Sequence, residues 1–300
     1  MTSWRQWHRG DDTTFRLLDP ERDRRTIAAL WGEAMGPVWP VLPLALNGVH
    51  SGLVAEVEGR VIGAAGRSGS ALQLILVAPR FQRTGIGSRL LEAMRVQAAE
   101  DGHAHLGLGS GGDDRIWPGV PTECAGGIAF FERHGYAWEY EAIDLVAPAQ
   151  GWVPPSVALS ASTKADVRLD HAERAPADVL EFEAAQFPNW LRAFSEPEGE
   201  TIRVARSRTD GRVVGSLLWA ASGSPFVPAL QAPCGSIGCV GTDVDLRGRG
   251  IATALVLEAT QRIAESGAAT CHIGWAWQTG LYERCGYTTW RRYLMDRRPS

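Results

Sequence analysis

Two short stretches of this 300-residue chain place glycines where an anion can meet backbone amides. QRTGIG at 82–87 and RGRGIA at 247–252 each follow an apolar, strand-like run and open a helical pattern. The first N–H groups of a helix have no intrahelical acceptor and lie at the positive end of its dipole, so such a junction attracts phosphate. Gly85, Gly87, Gly250 and Ala252 remove side chains that would hold a diphosphate away from those amides. Arg83, Arg247 and Arg249 add positive charge, and Ser88 and Thr253 each bring a hydroxyl to the first turn. A dinucleotide-binding unit carries G-x-G-x-x-G after the first strand of a βαβ unit. Here the motif follows a fourth strand, after an antiparallel hairpin, which excludes that reading.

The elements that position these motifs occur twice. In the first half the pattern gives a strand, a turn at Asp19–Pro20 and a helix, then two strands joined at Glu58–Gly59. The continuously apolar ALQLILVAP is a buried central strand, GIGSRLLEAMRVQAAEDG a helix, HAHLGLGS a strand, and GGIAFFERHGY a helix ended by Gly135. The second half repeats the order. A helix is interrupted at Pro188, and a hairpin turns at Asp210–Gly211. The strand GSIGCVGTDV, the helix GIATALVLEATQRIAESG, the strand TCHIGWAW, the helix GLYERCGY and the strand TTWRRYLM follow. The glycine motifs align at an offset of 165 residues, and FFERHGY (130–136) aligns with LYERCGY (281–287) at an offset of 151. GGDDRIWPGVPTEC (111–124) accounts for the difference as an insertion in the first copy. APAQGWVPP (147–155) reads as a linker, giving domains at 1–150 and 156–300.

VAPRFQRTGIG and TDVDLRGRGIA resemble the acetyl-CoA motif of the GNAT superfamily of acetyltransferases, and FFERHGY and YERCGY resemble its second motif. The resemblance covers both halves. It implies two tandem α+β acyl-CoA N-acyltransferase folds, each a mixed sheet flanked by helices and splayed between strands four and five for the pantetheine of acetyl-CoA. Carried over, backbone groups of Val240 and Thr242 pair with pantetheine, and Arg247, Gly248, Arg249, Gly250, Ile251, Ala252 and Thr253 hold the diphosphate. Val77, Gln82, Arg83, Thr84, Gly85, Ile86, Gly87 and Ser88 are the same positions in the first copy. Both copies lack the usual Asn at the start of the second motif, where Cys124 and Trp275 stand.

Acetyl transfer to an amine needs a free lone pair, a polarised thioester carbonyl and a proton for the departing thiolate. The resemblance places a Tyr four residues before the second motif's glycine. That position is Tyr282 in the second copy and Phe131, without a hydroxyl, in the first. Catalysis is therefore expected in the C-terminal domain, with the N-terminal copy degenerate. No Glu lies on GSIGCVGT, so Asp243, His272 and Glu183 are the candidate bases. Trp190, Trp219, Trp275 and Trp277, with Phe187 and Trp290, form an aromatic set suited to a sugar face. The tandem arrangement is similar to bacterial glucosamine/glucosaminide N-acetyltransferases, so the expected acceptor is the primary amine of an amino sugar. Aminoglycosides, a mycothiol precursor and a non-catalytic acyl-CoA-binding module are the alternatives.

The bulk composition agrees with these readings. A net charge of −4 and a pI near 6.0 give no basic face for nucleic acid. No run of about 18 apolar residues provides a membrane span, and MTSWRQWHRGDD lacks the apolar core of a signal peptide. Five cysteines, odd in number and without metal-ligand spacing, read as reduced thiols, with no metal expected. A cytoplasmic monomer or homodimer is the resulting expectation.

Overall fold

The computed structural model describes residues 13–36, 38–39, 49, 51–109, 118–197, 199–222 and 233–297. Within it the chain divides into two compact units, 1–142 with 292–300 and 143–291.

The first unit follows the expected order. Strand β1 (Thr13–Leu17) leads to Asp19, whose carboxylate accepts from the Glu21 and Arg22 N–H groups and so caps α1 (Pro20–Ala34). Pro20, with no N–H to lose, suits the first helical position. Strands β2 (Ser51–Val57) and β3 (Arg60–Ser68) meet at Glu58 (φ 50°) and Gly59 (φ 74°), the two left-handed residues of a tight hairpin. β4 (Ala71–Val77), α2 (Ile86–Glu100), β5 (Gly107–Leu108), β6 (Val120–Pro121) and α3 (Ala125–Arg133) complete it. The sheet runs β1-β2-β3-β4-β5, and only the β4–β5 pair is parallel. Leu90, Leu91 and Met94 of α2 are fully buried in its core. Residues 111–117 of the expected insertion lie outside the described residues, and the remainder supplies β6.

The second unit carries the repeat, with one departure. Strand β7 (Trp138–Pro148) precedes α4 (Ser156–Ser162), β8 (Val167–Ala172), α5 (Ala177–Gln186), a short turn at Pro188–Trp190 and α6 (Leu191–Ser195). β9 (Thr201–Ser207), β10 (Val213–Ala220), β11 (Cys234–Thr242), α7 (Ile251–Glu265), β12 (Thr270–Ala276), α8 (Gly280–Arg284) and β13 (Thr288–Asp296) follow. Ile251, Leu255, Ala259 and Ile263, four residues apart, form the buried stripe of α7.

The departure concerns the boundary. Residues 143–148 of β7 pair antiparallel with β12 in register, Thr270 opposite Pro148 and Ile273 opposite Leu145. Ile143, Leu145 and Ala147 thus enter the core of the second unit, so the expected linker begins inside a strand. Conversely, Tyr293 and Leu294 of β13 pair with Pro121 and Val120 of the first unit. The later part of the last strand of each sequence half therefore sits with the other half's unit. Pro and Gly flanking 147–155 mark a turn, but the alternating burial of 143–148 outweighs them.

Candidate active site

The anion-binding junctions form in both copies with the same backbone. Arg83 (φ 63°) and Gly85 (φ 91°) correspond to Gly248 (φ 78°) and Gly250 (φ 81°), so two left-handed residues alternate with an ordinary one. Successive amides then turn toward one concavity. Neither Gly85 nor Gly250 caps its helix through a side chain. The first intrahelical bonds are Arg89 N–H to Gly85 O at 3.0 Å and Ala254 N–H to Gly250 O at 2.9 Å. The amides of residues 251–253 therefore precede the ladder of α7, and Arg247, Gly248 and Arg249 are exposed beside them. Gly250 is required twice over. Its φ is left-handed, and a Cβ there would sit 2.1 Å from the Ala161 carbonyl oxygen. The Thr253 side chain is buried, so the amides rather than this hydroxyl face the junction.

The sheet opens beside α7. β11 and β12 pair in parallel only from Cys234 to Ile237 against Thr270 to Ile273. On its other edge β11 stays paired with β10 through Thr242, with a bulge that sets Cys239 (φ 51°) and Val240 against Leu217. The Asp243 N–H donates to Val214 O at 3.0 Å, so strand alternation turns the amides of Thr242 and Val240 to the opposite edge, where β12 has gone. The amides at the start of α7, a strand edge unpaired beyond Ile237 among the described residues and the exposed Arg247 and Arg249 fit an acyl-CoA: diphosphate at the cradle, pantetheine along the edge.

Glu183 is the unusual titratable group. It lies on α5 with no exposed surface, accepts from the Ser216 hydroxyl through Oε1, and has Oε2 buried without a hydrogen-bond partner among the described residues. Burial pushes its carboxyl up to about 7, against a smaller opposing effect of the Ser216 hydrogen bond. Ser216 stands opposite Gly241 on β11, and the Phe187 ring, one turn on from Glu183, packs against Gly241. The carboxyl is thus fixed against β10, at the residue opposite Gly241 of β11. A carboxyl of that acidity populates both protonation states near neutral pH.

Tyr282, on α8, packs against the core of the second unit. Burial, then the neighbouring Cys239 and Cys285 thiols, raise its phenol above its ordinary value, so it stays protonated. Its nearness to Cys239 puts it at the β11 bulge, where a proton donor can meet a leaving group.

The other two candidate bases have structural roles. Asp243 accepts from Arg212 Nη1 at 2.9 Å and caps the turn after β11 by accepting from the Asp245 N–H at 3.0 Å. His272 sits opposite Ser236, in the closed half of the sheet, with Nε2 3.5 Å from Asp144 Oδ2 and its ring edge-on to Trp290. The aromatic set separates by place. Trp190 stacks on Phe187 at 4.7 Å, Trp219 stands opposite Ile237, Trp275 is at the β12 bend, and Trp277 is 65% exposed.

Sequence reasoning missed Asp144. Its Oδ1 accepts from the Trp275 N–H at 3.0 Å, where β12 departs from β11. Trp275 has φ 59°, a conformation costing a bulky residue about 1–3 kcal/mol unless its surroundings hold it. Asp144 belongs to the first half of the sequence but to the second unit, so only the strand pairing reveals it.

In the first copy the corresponding side chains are occupied. Gln82 Nε2 donates to Val77 O at 3.0 Å, Thr84 Oγ1 donates to Phe81 O at 2.7 Å, and Ser88 Oγ lies 2.9 Å from His134 Nε2. Phe131, in the Tyr282 position, is buried.

Residues 49–137 match a family model described as an acetyltransferase (GNAT) domain, and residues 176–290 match another of the same description. No curated protein matches the sequence. Among solved structures, one similar fold is a GCN5-related glucosamine N-acetyltransferase region in a fungal multi-domain GH3 β-N-acetylglucosaminidase, with a TM-score of 0.81 and 24% identity. That match covers 95% of this chain, which spans only 38% of the multi-domain protein. A GCN5-related N-acetyltransferase from Sphaerobacter thermophilus has a TM-score of 0.62 and 20% identity, covering 96% of this chain and 95% of that one. A tandem GNAT protein from the clavulanic acid biosynthesis pathway has a TM-score of 0.61 and 16% identity, covering 96% and 99%. Identities this low carry the fold alone.

Proposed function

We propose that this chain, which belongs to the GNAT family of acetyltransferases and carries two such domains in tandem, acetylates the primary amine of an amino sugar from its C-terminal copy. Bound acetyl-CoA supplies an activated thioester. Glu183 takes a proton from the acceptor's ammonium group, freeing the lone pair that forms the new C–N bond. The amide of Val240 or Thr242 donates to the carbonyl oxygen as charge gathers there. Tyr282 gives its proton to sulfur as the C–S bond breaks, and the second proton shed by the acylated nitrogen returns the phenolate to phenol, so the products are an amide and a thiol. The backbone of residues 247–253 holds the diphosphate and fixes the reacting carbon.

The observation that carries this reading is the buried Glu183 carboxyl, poised near neutrality against Ser216 of β10, the strand paired with β11. An amino sugar's amine titrates near the α-amino range of about 8, within reach of such a base, whereas lysine's lies roughly at 10.4. The Phe187–Trp190 stack beside Glu183 offers the flat apolar face that a pyranose covers. The fungal neighbour's description as a glucosamine N-acetyltransferase region agrees with this acceptor class. The test is thiol release from acetyl-CoA across glucosamine, chitosan oligomers, aminoglycosides, polyamines and peptides. Turnover with the amino sugars above the rest is the expected result; turnover confined to peptides or polyamines overturns the acceptor.

A further inference from the structure

The cleft exists because β12 leaves β11 after Ile273, and that departure needs a cause. A parallel strand that stayed extended would continue its ladder along Gly238 and close the edge that faces pantetheine. Instead, the pairing of β12 with β7 slips between Ile273 and Ala276, and Trp275 adopts φ 59°. The acceptor for the Trp275 N–H at this bend is Asp144 Oδ1, at 3.0 Å. Asp144 is 4% exposed, and its other oxygen lies 3.5 Å from His272 Nε2. Gly274 fits between them because a Cβ there would stand 3.0 Å from the His272 ring and 3.4 Å from Asp144 Oδ1.

We propose that Asp144 is a positioning residue for the C-terminal site, holding the Trp275 bend and so keeping β12 away from β11 to admit acetyl-CoA. The inference rests on the acetyl-CoA reading above. A buried carboxylate is a strong acceptor for a backbone N–H, and without one a tryptophan returns from the left-handed region to extended geometry. Extension would remove the slip between Ile273 and Ala276 and bring the edge of β12 back toward β11. His272 Nε2 stands on the far side of the carboxylate, 3.5 Å from Oδ2, while Oδ1 accepts from the Trp275 amide.

The test is a double-mutant cycle read by calorimetric titration of acetyl-CoA into the full chain. Binding to the wild type tests the acetyl-CoA reading itself; the cycle tests the role of Asp144. Asp144→Ala should weaken acetyl-CoA binding by at least ~10-fold. In a Trp275→Gly background the same change should cost less than about 3-fold, because glycine keeps a left-handed φ without support. Asp144→Asn, which retains a carbonyl acceptor, should bind within about 3-fold of wild type. Equal losses in the Trp275 and glycine backgrounds overturn the proposal, as does failure to fold in both. Asp144→Asn as damaging as Asp144→Ala would assign the effect to charge at His272 and overturn it too.

Discussion

The two copies share the backbone of the helix junction and differ in the side chains around it. Both helix junctions alternate left-handed residues in the same way, and in both the fourth and fifth strands pair in parallel over a short stretch, Ala71–Leu72 with Gly107–Leu108 and Cys234–Ile237 with Thr270–Ile273. Where the second unit has Ser216 opposite Gly241, the first has Ala64 opposite Leu76. Where α5 buries Glu183, α1 buries Ile27, Leu30 and Trp31, and its one buried carboxylate, Asp23, is paired with Arg16. Phe131 replaces Tyr282, and Ser88 is engaged by His134. Fold and cradle depend on glycine conformation and apolar spacing, which both copies kept. The polar groups proposed for proton transfer are Glu183 with its Ser216 contact and Tyr282; the first copy has Ala64 and Phe131 at the Ser216 and Tyr282 positions.

The largest predicted effect concerns the exchanged strand. A fragment of residues 143–291 should unfold cooperatively, whereas one of 156–291, lacking the buried Ile143, Leu145 and Ala147, should show no cooperative transition by circular dichroism. Next is Glu183→Gln, which should lower kcat/KM by ~10³-fold. It should also stabilise the protein at pH 8. With its carboxyl raised from 4.5 to about 7, folded Glu183 keeps a proton that the unfolded chain releases between those values. Wild-type stability therefore falls as pH rises through that window, by on the order of 3 kcal/mol, and the neutral glutamine avoids the loss. Thermal melts at pH 4.5 and 8 should show a gain for the variant at pH 8 alone.

Tyr282→Phe should reduce kcat by ~10²-fold with acetyl-CoA affinity retained, since the ring still packs. The reciprocal Phe131→Tyr should add no activity, because Ala64 and the apolar face of α1 supply no base. The smallest contrast is between the two cradle glycines. Gly250→Ala meets the Ala161 carbonyl and should weaken acetyl-CoA binding, while Gly85→Ala meets nothing within 4 Å. The latter should cost about 1 kcal/mol of stability from its left-handed φ and leave turnover unchanged.

Much of this arrangement was legible in the sequence. The glycine junctions, the tandem copies and the Tyr282/Phe131 difference are local patterns, and each element near them follows from its own spacing. Glu183 was visible only as one candidate base among three, because burial and the Ser216 contact depend on how α5 crosses β10. Asp243 and His272 looked equivalent until their partners Arg212 and Asp144 came into place. Asp144 and the boundary at 142/143 were hidden for one reason: strand exchange is a long-range pairing, and a Pro-rich turn reads the same whether or not the strand before it changes sheets.

The most direct test of Glu183 as the base is the pH dependence of kcat/KM from pH 5 to 9 with glucosamine, for wild type and Glu183→Gln. The account predicts a rising limb with an apparent pKa near 7 in the wild type. In the variant that limb should be absent, leaving only the acceptor amine's own titration at a lower plateau. A variant that keeps both the limb and the wild-type plateau would contradict it.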